Sequence, residues 1–524
     1  MTPLQKRRIH YQPPLPKSLK RPSLFKGDGA TACLGNVEEV QRVFPRTFGR
    51  PILHLIEGNG AFSAPLKVGI VFSGGQAPGG HNVIAGVFDA LKRFHSKCRL
   101  FGFLGGPSGI IEGNVIELSE DLIKNYRNQG GFDLIGSGRT KIETDEQIDQ
   151  SIRTFKTLGL DGVVIIGGDD SNTNAAVLAE SALNRGCETT IVGVPKTIDG
   201  DLKNEWVPVS FGFHTAAAVY AELIGNLARD ALSAKKYIHF VKLMGRSASH
   251  IALECALLTQ PNLTLIGEEI VAKNMTLKEV VSSIADWVEK RSKKGKNYGV
   301  IVIPEGIVEF IPEMKRLLSE LNVLLSQKKE ELPLSLSARK TFDSLPKQIQ
   351  EELLLDRDPH GNVQVSHIQV ESLLSFLVKQ DLKARVHFTG PFHPIHHFFG
   401  YEGRCAFPTN FDATYAYSLG QVAARLVQGK HTGYMSGITN LEKPVADWGI
   451  CAIPLTSLMQ LEERKGKKKV VIQKTLVDLK GAPYQFFDRH RHKWMDEDAY
   501  LFPGPIQFEG DPADVEAPPR SLLI

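Results

Sequence analysis

Residues 164–174 read VIIGGDDSNTN: three β-branched apolar residues, two glycines, then Asp169 and Asp170 side by side at the start of a polar stretch. A short apolar run that ends in glycine and passes straight into small polar residues has the pattern of a buried strand turning into a helix. The same pattern lies on either side, in KVGIVFSGG (67–75), RLFGFLGG (99–106) and TTIVGVPKTIDGD (189–201). A second series follows in KKYIHFVKLMGR (235–246), NLTLIGEE (262–269) and NYGVIVIPEG (297–306). Strands that are apolar throughout, separated by helical stretches, form parallel sheets covered on both faces, so the class is α/β. In such sheets ligands bind beyond the carboxyl ends of the strands, and most of the turns just quoted stand there.

At 524 residues the chain exceeds one hydrophobic core, and two or three lobes are expected. The expected division is an extended, proline-rich arm over 1–65, an α/β lobe over 66–240, a second α/β lobe over 241–310 and 386–456, a helical insertion over 311–385, and an extension over 457–524. Within that extension KGKKKVVIQKTLVDLKG reads as a strand pair with a charged edge. A net charge of +4 is too small to argue for nucleic acid or a membrane surface. No run approaches the roughly 18–20 apolar residues of a membrane span. Six scattered cysteines without CxxC spacing suggest neither a disulfide framework nor a zinc site, and fit a reducing, cytoplasmic setting.

Four motifs carry chemistry. VFSGGQAPGGHNVIAG (71–86) sets Gly74, Gly75, Gly79 and Gly80 between a strand and a helix, where backbone N–H groups can approach a phosphate. It lacks both the P-loop ending and the GxGxxG spacing of a dinucleotide turn, and a purely structural turn fits it as well. Adjacent Asp169 and Asp170 repel unless a cation neutralises them. Asp169 suits Mg²⁺, whereas the alternative has Asp170 or Ser171 merely capping the next helix. GVPKTIDGDLKNE (193–205) puts Lys196, Thr197, Asp199 and Asp201 on one strand-end turn. One carboxylate there can take a proton from a hydroxyl while the other orients a cation, or the turn is simply charged surface. In KLMGRSASHIALECAL (242–257) Arg246 precedes a helix, with Met244 as wall, and Glu305 and the stretch GYEGR (400–404) add a carboxylate, Tyr401 and Arg404. Together these suit a polyhydroxylated, phosphorylated ligand. His393, His396 and His397 are read as packing rather than metal ligands, and Arg464 to Lys469 and DRHRHKW (488–494) as solvated surface.

GGQAPGGHN, GGDDSNTNA, PKTIDGDLK, KLMGRSASHIALECAL, IPEG and GYEGR occur in the order found in phosphofructokinases. Over about 66–449 the chain resembles the long, pyrophosphate-dependent branch of that family, similar to the plant catalytic β subunit and its bacterial relatives. The resemblance implies a phosphofructokinase fold and Mg²⁺-dependent, reversible phosphoryl transfer from pyrophosphate to fructose 6-phosphate, giving fructose 1,6-bisphosphate and phosphate. By the same likeness Gly75 gives its amide to pyrophosphate, Asp169 holds the metal, and Asp199 is the proton acceptor, with Thr197 and Ile198 lining the pocket and Asp201 in support. Met244, Gly245, Arg246 and Glu305 hold the sugar, and Tyr401, Glu402, Gly403 and Arg404 its 6-phosphate. Lys236 and Tyr237 match a pair that reaches the site from a neighbouring subunit, implying a homodimer or larger assembly, with a regulatory subunit as a possible further partner.

ATP-dependent relatives that this turn resembles have glycine at the positions of Asp170 and Lys196. A carboxylate facing the α-phosphate of ATP at about 4 Å is repelled by roughly 4 kcal/mol at an effective dielectric near 20. Asp170 thus disfavours ATP, and Lys196 adds charge suited to pyrophosphate and its transition state. The alternatives are an ATP-dependent phosphofructokinase, which these two residues oppose, and a non-catalytic regulatory subunit, which the intact TIDGD stretch opposes.

Overall fold

The structure, a computed structural model, describes residues 3–58, 64–326, 333–355, 363, 365–464 and 467–506. Parts of the expected arm, insertion, basic run and extension (1–2, 59–63, 327–332, 356–362, 364, 465–466 and 507–524) lie outside the described residues. The chain divides into two compact units, residues 1–216 with 404–475 and 507–524, and residues 217–403 with 476–506.

The first unit is built on a ten-stranded sheet. Its centre is parallel and runs Thr190–Thr197, Gly162–Gly167, Lys67–Phe72, Arg99–Phe103, each strand buried almost throughout. The edges are antiparallel: Val115–Glu117 closes one side, and Tyr434–Thr439 leads through Gly449–Pro454 to the other. The 1–65 segment departs from an extended arm. Its strand Ser23–Lys26 pairs with Leu53–Glu57, which joins Gly449–Pro454 and lengthens the sheet. The reason lies in its apolar residues, for Leu19, Val40 and Phe44 are fully buried, and the proline-rich stretch only bridges the helices Pro3–His10 and Lys17–Lys20. Helices Asp145–Leu158 and Asp169–Asn184 cover one face of the sheet through Ile148, Ile152, Phe155, Ala175 and Leu178. The strand pair expected in the extension is present, Met459–Arg464 against Lys467–Ile472, with Met459 and Ile472 turned into the same core.

The second unit has a four-stranded, wholly parallel sheet in the order Leu263–Thr264, Gly299–Pro304, Ile238–Leu243, Pro394–Phe399. The stretch 311–385 is helical where described, in Pro312–Ser326, Leu336–Ser344, Lys347–Leu355 and Val370–Ala384. Its Met314, Leu317, Leu321, Leu373 and Val378 share one core with the sheet residues Phe240, Ile301 and Ile303. The helix Ala482–Asp496 corrects one reading: DRHRHKW is not all solvated surface. Trp494 is buried, and Arg491 forks onto the buried Glu269 at 2.6 and 2.8 Å. A charge-rich string conceals helical spacing, because Tyr484, Phe487 and Trp494 fall on one face.

Candidate active site

In the first unit three neighbouring parallel strands end side by side, and each delivers one motif. After Lys67–Phe72 comes Ser73, whose amide donates to Ile166 O at 2.9 Å and whose hydroxyl accepts from Ser171 at 2.8 Å. Gly74 adopts φ 89°, a left-handed conformation that side chains resist, and a β-carbon there would lie 3.5 Å from the Lys196 ammonium. A β-carbon at Gly75 would overlap the Arg404 guanidinium and stand 3.6 Å from Arg139 Nη2. Glycine at 75 therefore leaves the backbone open to an anion while two arginines approach it.

After Gly162–Gly167 the helix Asp169–Asn184 begins at Gly168, with Asp169 and Asp170 in its first turn. Neither Asp170 nor Ser171 caps it through a side chain, because the cap position belongs to Gly168. The helix start is fastened instead by Asn172, whose Nδ2 donates to Gly167 O at 2.7 Å and Gly168 O at 3.0 Å. Two carboxylates in a first turn are favoured by the helix dipole. They diverge: Asp170 lies 3.5 Å from Lys141, while Asp169, more buried, lies 4.0 Å from Lys474.

The third strand, Thr190–Thr197, passes into Ile198–Asp201. Thr197 Oγ1 donates to Asp201 Oδ1 at 3.1 Å and accepts from the Asp199 amide at 3.0 Å, which shapes the turn. Lys196, Ile198 and Asp201 are buried. Burial above all, then the Arg404 charge, pulls Lys196 down to about 8 against the attraction of Asp199, Asp201 and Asp169. Burial, reinforced by Asp199, raises Asp201, with Lys474 and Thr197 opposing. For Lys474 burial works against the charge, but Asp169, Asp201, Asp199 and Asp170 outweigh it and push it up to about 12.

The second unit repeats the device. Leu243, Pro304 and Phe399 are in register, so the residues that follow them stand together. The Glu305 amide donates to Leu243 O at 2.9 Å, and the Met244 amide to Phe399 O at 3.0 Å. A β-carbon at Gly306 would land on the Arg246 carbonyl, so MGR and EG pack as one turn cluster. Glu305 and Met244 are buried, Gly245 has φ 139°, and Arg246 lies 3.5 Å from Glu309. Tyr401 and Glu402 are exposed, and Glu402 accepts from the Gly400 amide at 2.7 Å, while Gly403 packs on Tyr220. Arg404 belongs to the first unit, where it meets Gly75. Lys236 and Tyr237 sit elsewhere, at the amino end of Ile238–Leu243, with the ammonium 4.9 Å from the ring centre. Two of the three histidines make side-chain bonds, to different partners: His397 meets His239 at 3.0 Å and His396 meets Ser375 at 2.6 Å.

The family model for phosphofructokinase matches residues 67–427. The chain belongs to the phosphofructokinase family. The pyrophosphate--fructose 6-phosphate 1-phosphotransferase of Treponema pallidum is 49% identical, the match covering 99% of this chain and 96% of that one. The β subunit 2 of the Arabidopsis thaliana enzyme is 48% identical, covering 98% and 92%. A solved pyrophosphate-dependent phosphofructokinase from Marinobacter aquaeolei shares the fold at TM-score 0.56 and 18% identity, over 83% of this chain and 93% of that one.

Charged residues beside these turns escaped the sequence reading: Arg139, Lys141 and Lys474 in the first unit, and Glu309 beside Arg246 in the second. Arg139 and Lys141 arrive on a loop that Asn174 clamps by two hydrogen bonds to Ile142, at 2.6 and 3.1 Å. The only signal for them was two cations in a glycine-rich stretch, GSGRTK. Lys474 gave none, since it reaches the carboxylates only through the fold. Among the described residues no three His, Cys, Asp or Glu side chains form a metal cluster, and no helix is long and apolar enough to cross a membrane.

Proposed function

We propose that this chain transfers a phosphoryl group reversibly from pyrophosphate to the 1-hydroxyl of fructose 6-phosphate. One observation carries the reading: the Gly74–Gly75 turn, the Asp169–Asp170 helix start and the Lys196–Asp201 turn end three adjacent strands, with Lys196 against Gly74. The names of the full-length relatives support the same activity.

In this reading the Gly75 amide and the Lys196 ammonium hold pyrophosphate, and Arg404 and Arg139 add charge beside it. Asp199 accepts the proton of the sugar 1-hydroxyl as that oxygen bonds to phosphorus and the bridging P–O bond of pyrophosphate breaks, releasing phosphate. Thr197 and Ile198 line the acceptor's surroundings, and Asp201, tied to Thr197, fixes the turn that presents Asp199. Met244, Gly245, Arg246 and Glu305 hold the sugar, and the stretch Tyr401 to Arg404 its 6-phosphate. The work asked of the chain is placement and charge, as phosphoryl transfer requires.

Asp169 fits Mg²⁺. That ion is held by one or two carboxylates together with substrate phosphate oxygens, and here a carboxylate at a helix start already draws a cation, Lys474, to 4.0 Å. The chemistry Mg²⁺ supplies when bound is charge neutralisation on the transferring phosphoryl oxygens. Asp170 sets the donor, its negative charge standing next to the metal ligand and opposing a third phosphate. Lys236 and Tyr237 serve a neighbouring subunit, so the working unit is a homodimer or larger.

The test is fructose 1,6-bisphosphate formation with pyrophosphate and with ATP, for the wild type and Asp170→Gly. Wild-type activity with pyrophosphate alone is expected, with ATP use appearing in the variant. ATP use by the wild type would overturn the donor assignment, and no turnover with either donor would favour a regulatory chain.

A further inference from the structure

Lys242 is a buried cation of the second unit for which the reaction as described has no use. It lies in the strand Ile238–Leu243, two residues before Met244, and is only 3% exposed. A lysine is almost never that deep unless its charge is met. Here the helical stretch 311–385 meets it. The ammonium donates to Ile368 O at 3.2 Å and stands 3.6 Å from Glu371 Oε2, in the first turn of the helix Val370–Ala384. Glu371 is buried as well, and burial pushes its carboxyl up, with the Lys242 charge first among the groups that oppose this. A buried pair of this kind adds little to stability over apolar residues of the same volume. Its use is to be sought in what else the ammonium touches.

The ammonium also touches the wall of the sugar turns. Lys242 and Phe398 are register partners on neighbouring parallel strands, and the ammonium lies 4.2 Å from the centre of the Phe398 ring, within cation–π range. That ring meets Tyr401 edge to face, with centres 6.3 Å apart. A β-carbon at Gly400 would stand 2.7 Å from Phe398 Cζ and 2.8 Å from Met244 Cε, so Gly400 fills the gap between the two side chains. Gly400 O accepts from the Tyr220 hydroxyl at 2.6 Å, and the Gly400 amide donates to Glu402. One ring therefore stands between a buried cation and the turn that carries Met244, Tyr401 and Glu402.

We propose that Lys242 is a positioning residue for the sugar phosphate: its ammonium, anchored by Glu371 and Ile368, fixes the Phe398 ring and through it Met244 and the Gly400–Glu402 turn. This rests on the sugar-site reading above. A pair that merely held the helix to the sheet would have a different signature. Apolar residues in place of both charges would then restore the protein fully, sugar affinity included. If the ammonium orders Phe398, the same replacement keeps the fold and still weakens the sugar phosphate, because the ring has lost its cation.

The experiment compares full-length wild type with Lys242→Met, Lys242→Arg, Phe398→Leu and two double variants, Lys242→Met with Glu371→Leu and Lys242→Met with Phe398→Leu. Fructose 6-phosphate binding is measured by calorimetry, KM for each substrate by steady-state kinetics, and folding by thermal melts of the unliganded proteins. Lys242→Met is expected to raise the fructose 6-phosphate Kd and KM by about fivefold to thirtyfold, the range of a desolvated cation–π contact, with an unchanged pyrophosphate KM. Lys242→Arg, which keeps a cation over the ring, retains most of the affinity. The double variant with Glu371→Leu melts at or above wild type yet binds the sugar phosphate as weakly as Lys242→Met. It also carries the test if Lys242→Met, which strands Glu371 in the core, does not fold. Phe398→Leu gives a similar loss, and adding Lys242→Met to it changes nothing further, since both remove one contact. Wild-type sugar affinity in the folded apolar double variant, or losses that add in the combination with Phe398→Leu, would overturn the role of Lys242 alone. A wild type that neither binds nor turns over fructose 6-phosphate would overturn the sugar-site reading as well.

Discussion

Lys196 shows how one residue's surroundings set its chemistry. Buried beside Gly74 and facing Arg404, its ammonium is held at about 8, well below the ordinary lysine range, by desolvation first and like charge second. The direction fixes the pH effect: as pH rises through about 8 the free enzyme loses this proton, and with it a cation for pyrophosphate. We expect kcat/KM for pyrophosphate to fall on an alkaline limb near that pH. Lys196→Arg, whose guanidinium stays charged, should remove the limb, and Lys196→Met should lower kcat by about 10²–10³ at every pH, as loss of a charge-stabilising donor does. Profiles of the three proteins check this, and a limb that persists in the arginine variant belongs to pyrophosphate's own protons. Lys196 could be found in the sequence because it shares its turn with three other polar residues. Lys474 could not, for its neighbours Val471, Ile472 and Thr475 carry no motif, and only the folded hairpin brings it to Asp169.

The helix Ala482–Asp496 shows where reading by pattern fails at the level of an element. It is held to the second unit by Tyr484, Phe487 and Trp494 and by the fork of Arg491 on Glu269. Burial acts to raise Glu269, but hydrogen bonds from Arg491 and Lys273 outweigh it and hold the carboxyl at about 2. A carboxyl lowered on folding adds stability that is complete above the ordinary glutamate range and is lost as pH falls toward about 2. Arg491→Met is expected to cost about 2–3 kcal/mol at neutral pH, less than a fully broken buried pair because Lys273 remains. Urea denaturation should show that difference shrinking between about pH 4.5 and pH 2, and a gap independent of pH would mean that the loss is one of packing. The strands were legible for the opposite reason. Gly162–Gly167 and Gly299–Pro304 are buried on both faces, so composition alone marks them. The antiparallel edges were hidden, since Ser23–Lys26 and Leu53–Glu57 are short and half exposed and look like linker.

For the whole molecule the decisive distance lies within one strand. Lys236 and Tyr237 precede Ile238–Leu243, and Met244, Gly245 and Arg246 follow it. A strand advances about 3.3 Å per residue, so the two groups stand roughly 20 Å apart, much farther than one sugar phosphate can bridge. If both groups touch substrate, they touch different molecules of it, and the exposed Lys236 with the half-buried Tyr237 must then complete a site that begins on another copy of the chain. The consequence is complementation. Lys236→Ala and Asp199→Asn should each be nearly inactive alone, because every site in each homodimer lacks one group. Unfolded together in equal amounts and refolded, half of the dimers formed at random are mixed, and each holds one site with Asp199 from one chain and Lys236 from the other. Activity should then recover to about a quarter of wild type. Recovery that needs subunit exchange and vanishes when the variants are mixed without unfolding would establish the shared site. A mixture that stays as inactive as its parts would place Lys236 outside catalysis and remove the chemical reason to expect a dimer.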